Sequence, residues 1–129
     1  MALSRDRKIL LVLLVVAVAL NVLGAPGLGI ETRDDSDFPA WIFPVFLLVG
    51  FGPLAAVATL WKWPRVAAGI AIGIAVAAVA VNLADFAGLL IEEDPPVGLR
   101  ILEVVIAALS VATIVAARRV LKEGAPATA

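Results

Sequence analysis

The chain has 129 residues, of which 63% are hydrophobic, and its mean hydropathy of +1.09 excludes an ordinary soluble domain and indicates a membrane protein. The formal net charge is −1, so the chain has no overall basic field and we expect no nucleic-acid partner. Because cysteine and histidine are both absent from the sequence, we expect no disulfide, no metal, no cofactor and no enzymatic activity.

The first predicted transmembrane helix covers residues 9–24 and follows a basic start. A basic start before an apolar run could also belong to a secretory signal peptide. Pro26 is unfavourable just beyond the small residues where a peptidase would cut, so we interpret the segment as a retained helix. The next segment, residues 24–38, is acidic. Its run of residues 34–37, with the sequence DDSD, is not followed by the glycine and the distal glutamate of a calcium-binding EF-hand loop. We therefore expect a solvated loop there.

The second predicted span, residues 39–61, contains prolines and glycines in its interior. An interior proline removes a backbone hydrogen bond and bends a helix. The sequence therefore predicts a kink near residues 50–53. Trp41 near one end and Trp61 at the other are typical of the two membrane interfaces.

The third span, residues 65–91, is predicted to be the central helix because small residues form two stripes along it. One stripe consists of Ala68, Ala71, Ala75, Ala78, Asn82 and Asp85. The other stripe, on the opposite side, consists of Gly69, Gly73, Ala77, Ala80, Ala84 and Ala87. Helices in a bilayer approach closely where small residues meet, so two small faces predict two close neighbours. Both faces could pack within the chain, or Gly69, Gly73 and Ala77 could contact a second subunit.

The fourth span, residues 97–117, begins after a short acidic turn, so it must lie beside the third span. A set of polar residues is then expected in one leaflet: Asn21, Asn82, Asp85, Arg100 and Glu103. Unpaired charges are costly inside a membrane, so we expect Asp85 to meet Arg100 or Glu103. Since one base faces two acids, the second carboxylate must be protonated, reach water or hold a cation. The cluster is either an ion-paired clamp or a wet pocket for a proton, a cation or a substrate.

Lysine and arginine are concentrated in the segments at one side of the predicted bundle, whereas the loops at the other side contain Arg33 alone. Basic residues favour the cytoplasmic side. The sequence therefore predicts an all-α polytopic membrane protein of the cell membrane. Its fold would be an antiparallel four-transmembrane-helix bundle with both termini cytoplasmic, in one domain that covers residues 1–129.

Two functions fit these patterns. The first is a small non-enzymatic membrane protein that acts by helix packing, as a homo-oligomer or as an accessory subunit of a larger membrane protein. The second is a minimal proton- or cation-linked transporter or channel that uses the polar cluster. The first is favoured because Thr59, Ser110 and Thr113 are the only polar residues that would continue a path from the cluster toward the cytoplasmic side. The lipid bilayer is the expected partner in both cases.

Overall fold

The computed structural model describes residues 3–27, 39–88 and 97–123. Within these ranges the chain forms only helices, namely α1 (Arg5–Gly27), α2 (Ile42–Phe51), α3 (Pro53–Thr59), α4 (Pro64–Phe86) and α5 (Val97–Glu123). Helices α2 and α3 are the two parts of one span, so four spans are long and apolar enough to cross a membrane. The predicted all-α bundle of four transmembrane helices is confirmed, and the chain is a small multi-pass membrane protein.

The four spans form a ring in which each span packs against two others. Helix α5 packs most extensively against α4 and next against α1, and the α2–α3 span lies between α1 and α4. The start of α1 meets the end of α5, where the Ser4 hydroxyl donates a hydrogen bond of 2.6 Å to the Glu123 carboxylate. The Arg7 Nε atom lies 3.7 Å from the same carboxylate. We call this side of the bundle the termini side and the opposite side the loop side.

An apolar core fills the half of the bundle nearest the termini side. Its buried members are Leu10, Leu14, Ala56, Leu60, Ala67, Ala68, Ala71, Ala116, Ala117 and Val120. Six of these ten residues are alanines, which allow the helix backbones to approach closely and gain van der Waals contact where lipid supplies no hydrophobic drive. The core therefore closes the bundle on the termini side.

The second span is interrupted at Gly52, within the stretch where a kink is predicted. The Gly52 N–H donates the last bond of α2 to the Leu48 carbonyl at 2.8 Å, and Pro53 begins α3. A Cβ atom on residue 52 would collide with the Leu48 carbonyl and with the Ile74 side chain of α4. Glycine is therefore required at this position because α4 passes so close to the break.

The observed helix ends differ from the predicted ones. Helix α4 ends at Phe86 rather than at residue 91, because Gly88 adopts a φ of 75° and its N–H bonds to the Asp85 carbonyl at 3.0 Å. A glycine in the left-handed region is a common helix terminator. Helix α1 continues through Gly24, and α5 continues beyond residue 117 to Glu123. The predicted loop at residues 24–38 is wrong at its start, because residues 24–27 belong to α1. Its remainder and the predicted acidic turn at residues 92–96 lie outside the described residues.

Orientation in the membrane stays a prediction, and the absence of cysteine makes it simple to test. We expect single cysteines at Ser36 and at Lys122 to react with a membrane-impermeant maleimide from opposite sides of the membrane. The Lys122→Cys variant should react from the cytoplasm because basic residues concentrate near it. The cysteine-free wild type is the control for background labelling. Reaction of both variants from the same side would contradict the topology.

Candidate functional site

Three of the five predicted polar residues meet at the loop side, between α4 and α5. Asp85 lies in the last turn of α4, and Arg100 and Glu103 lie in the first two turns of α5. The Arg100 Nη1 atom is 3.8 Å from Asp85 Oδ2 and 3.3 Å from Glu103 Oε2. The exposed fraction of the side chain is 6% for Asp85, 13% for Glu103 and 25% for Arg100. One guanidinium therefore bridges two carboxylates on two helices.

The local surroundings hold Arg100 in this bridging position. Its guanidinium carbon lies 4.4 Å from the centre of the Phe86 ring, a cation–π contact at the end of α4. One positive and two negative formal charges give the cluster a net charge of −1. Both carboxylates lose water when α4 and α5 pack, so their attraction to Arg100 offsets a desolvation penalty. The arrangement joins α4 to α5.

The two asparagines are not part of this ion cluster. The Asn21 Nδ2 atom donates a 2.8 Å hydrogen bond to the Ala17 carbonyl within α1. Asn21 lines a partly open cavity between the spans together with Ser110 and Thr113. Asn82 is half-buried, one turn before Asp85 on the same face of α4. Three of the five predicted residues therefore form the ion cluster, and Asn21 lines a cavity with Ser110 and Thr113. That all five share one leaflet stays a prediction.

The two small-residue faces of α4 have different surroundings. The face that bears Asp85 is turned into the bundle, and its buried members are Ala68, Ala71, Ala75, Ala78 and Asp85. On the opposite face, Gly69 and Gly73 are exposed, and a Cβ atom at either would meet nothing within 4 Å. Ala77 is half-buried and Ala80 is exposed on that face. We call Gly69, Gly73, Ala77 and Ala80 the outward face of α4.

Most of the other outward surface consists of bulky apolar side chains. In each span, at most 33% of the residues in its 18-residue apolar stretch are buried within the chain. Large exposed side chains include Val12, Val15, Leu47, Leu54, Ile101 and Val104. Bulky side chains of this kind suit contact with acyl chains in a bilayer. The outward face of α4 is different because its glycines have no side chain to offer to lipid.

Sequence reasoning missed the contacts that join the two ends of the chain. Ser4 and Arg7 both reach Glu123, and these interactions tie α1 to α5 at the termini side. The available signal in the sequence was Glu123, the single acidic residue at the basic end of α5, on the side where both termini are expected. Within the described ranges, no group of three His, Cys, Asp or Glu side chains could hold a metal ion.

The whole bundle corresponds to one known family. Residues 6–128 match the model of the family described as a domain of unknown function, DUF8051. The chain belongs to this family. The DUF8051 match includes all four spans, the ion cluster and the outward face of α4. No curated protein and no solved structure matches the chain.

Proposed function

We propose that this protein is a non-enzymatic membrane protein of the cell membrane that acts by helix packing. Its outward face of α4 would contact another transmembrane helix, from a second copy of the chain or from a larger membrane protein. The observation that carries the proposal is the pair of exposed glycines, Gly69 and Gly73. Among the described residues, no atom would lie within 4 Å of a Cβ built on either glycine. Within the described part of the chain, the four spans pack together and leave Gly69, Gly73 and Ala80 exposed.

The physical argument rests on what glycine does in a bilayer. Glycine is less favourable in a helix than alanine by about 1 kcal/mol. Two exposed glycines therefore lower the stability of α4 unless a favourable contact compensates for the loss. Close backbone approach to another helix is the usual gain, and a pair spaced like Gly69 and Gly73 is a common dimerisation motif. A twofold axis between two copies would bring the same outward face of each copy together. This self-complementarity favours a second copy as the first partner to test.

A proton- or cation-linked transporter or channel is the alternative function. It is supported by the loop-side half of the bundle, which contains the Asp85, Arg100 and Glu103 cluster. Transport also needs a polar route to the termini side, where the bundle is filled by the apolar core around Leu10, Leu60 and Val120. The apolar core therefore supports the packing function over transport.

The proposal can be tested by measuring self-association in lipid bilayers. We expect energy transfer between donor- and acceptor-labelled copies in liposomes, with labels attached at Lys122→Cys. The signal should follow a monomer–dimer equilibrium as lipid is added, because packing between helices competes with packing against lipid. A signal no greater than that of two unrelated single-span proteins, together with no partner from native membranes, would overturn the proposal.

A further inference from the structure

A small, partly open cavity lies between the spans, and every helix contributes to its wall. Its lining includes Asn21 of α1, Val49 of α2, Pro53 of α3, Ala75 of α4 and Ser110 of α5. The cavity has a volume of about 20 Å³, which is room for about one water molecule. It adjoins the apolar core on the termini side through Leu14 and Ala71, which belong to both.

Two buried hydroxyl groups in the cavity wall use their proton within their own helix. Ser110 Oγ donates to the Ile106 carbonyl at 2.9 Å, and Thr113 Oγ1 donates to the Leu109 carbonyl at 2.8 Å. Ser110 is 8% exposed and Thr113 is 4% exposed. A hydroxyl oxygen also accepts hydrogen bonds. Within the described part of the chain, no group donates to either oxygen, so both present acceptor capacity beside the cavity.

Asn21 and the second span add further hydrogen-bonding capacity. The Asn21 amide makes one bond, from Nδ2 to the Ala17 carbonyl, and an asparagine amide carries a second N–H and a carbonyl oxygen. Pro53 has no N–H, so the Val49 carbonyl one turn earlier lacks its usual partner in the helix. Val49 and Pro53 both line the cavity. The residues that line this water-sized space therefore include hydrogen-bond donors and acceptors from three spans.

We propose that this cavity is a binding site for a water molecule that bridges α1, α5 and the break between α2 and α3. The water would donate to two of three acceptors, namely Ser110 Oγ, Thr113 Oγ1 and the Val49 carbonyl, and accept from Asn21. Buried water typically makes about three hydrogen bonds to polar groups that otherwise lack partners. A lipid acyl chain satisfies none of these groups, and the volume is too small for a larger polar ligand.

Solid-state nuclear magnetic resonance of the full chain in deuterated-lipid bilayers tests this site. Magnetisation should pass from water to Ser110, Thr113 and Asn21 several-fold faster than to Ala68 and Ala117, which are buried in the apolar core and do not line the cavity. Transfer to the cavity residues no faster than to those alanines would overturn the proposal. Transfer from acyl-chain protons in place of water would overturn it as well, since the occupant would then be apolar.

A pair of variants tests the assignment of the acceptors. Ser110→Ala with Thr113→Val removes both oxygens at nearly constant volume, and the water signal at Asn21 should fall to the level of Ala117. Thr59→Val is the matched control, because Thr59 makes the same hydroxyl bond to the Ala55 carbonyl but does not line the cavity. A full water signal at Asn21 in the folded double variant would overturn the proposal. If the double variant does not fold, the wild-type measurement alone decides.

Discussion

Replacing Gly73 by isoleucine should convert the self-associated protein into folded monomers. A branched side chain on the outward face of α4 would hold a partner helix away and remove the close contact that stabilises the dimer in lipid. The bundle itself should persist, because a Cβ at this position meets nothing within 4 Å and isoleucine is a better helix former than glycine. We expect the association constant, measured by energy transfer between copies in liposomes, to fall at least about tenfold, which corresponds to roughly 1.4 kcal/mol of lost association energy.

Two matched variants separate association from folding. Gly73→Ala adds one methyl group and should weaken the dimer less than isoleucine does. Gly52→Ala should lower the free energy of unfolding of the monomer by an amount typical of overpacking, about 1 to 3 kcal/mol, because its Cβ would collide with Leu48 and Ile74. If Gly73→Ile unfolds the chain and leaves no folded monomer, the outward face packs within the bundle and the proposed contact is wrong.

Replacing Arg100 by alanine should destabilise the bundle more than any other single charge removal at the loop side. The change leaves Asp85 and Glu103 without the cation that bridges them at 3.8 and 3.3 Å. Removing one partner of a fully buried ion pair costs about 3 to 5 kcal/mol. A quarter of the Arg100 side chain is exposed, so we expect a value near the lower end. Asp85→Asn should cost less because Arg100 and Glu103 then remain as a neutral pair.

The measurement is reversible unfolding of the full chain in bilayers or mixed micelles. Arg119→Ala is the matched control, because it removes an exposed arginine from the same helix on the termini side. Asp85→Asn tests whether the cluster has a role beyond clamping. If Arg100→Ala unfolds like Arg119→Ala, the cluster contributes nothing to stability and a role in binding gains support.

The sequence predicts the spans well because membrane helices obey a few strong constraints. Long apolar runs must be helical since lipid offers no hydrogen bonds to the backbone, and this alone yields four spans. The adjacency of Asp85 and Arg100 followed from the short connection between α4 and α5. The division of small residues into two stripes followed from helical periodicity. These features depend on local sequence and on the solvent, not on the details of packing.

Features that depend on long-range packing were not predictable in the same way. Periodicity shows that α4 has two small faces, but only the arrangement of all spans shows that Gly73 faces outward while Ala71 is buried. The placement of Asn21 beside Ser110, away from the ion cluster, also depends on how α1 sits against α5. The end of α4 was set by Gly88, whose left-handed conformation outweighs the apolar run that continues beyond it.

Cysteine cross-linking in native membranes tests the central claim most directly. A single Ala80→Cys variant places a thiol on the outward face of α4, and Ala19→Cys places one at similar depth on the exposed side of α1. With a short bifunctional reagent, Ala80→Cys should give a specific adduct, to a second copy or to one other membrane protein. Ala19→Cys should give none, and Gly73→Ile added to Ala80→Cys should abolish the adduct. Equal cross-linking from both positions, or from neither, would contradict the account.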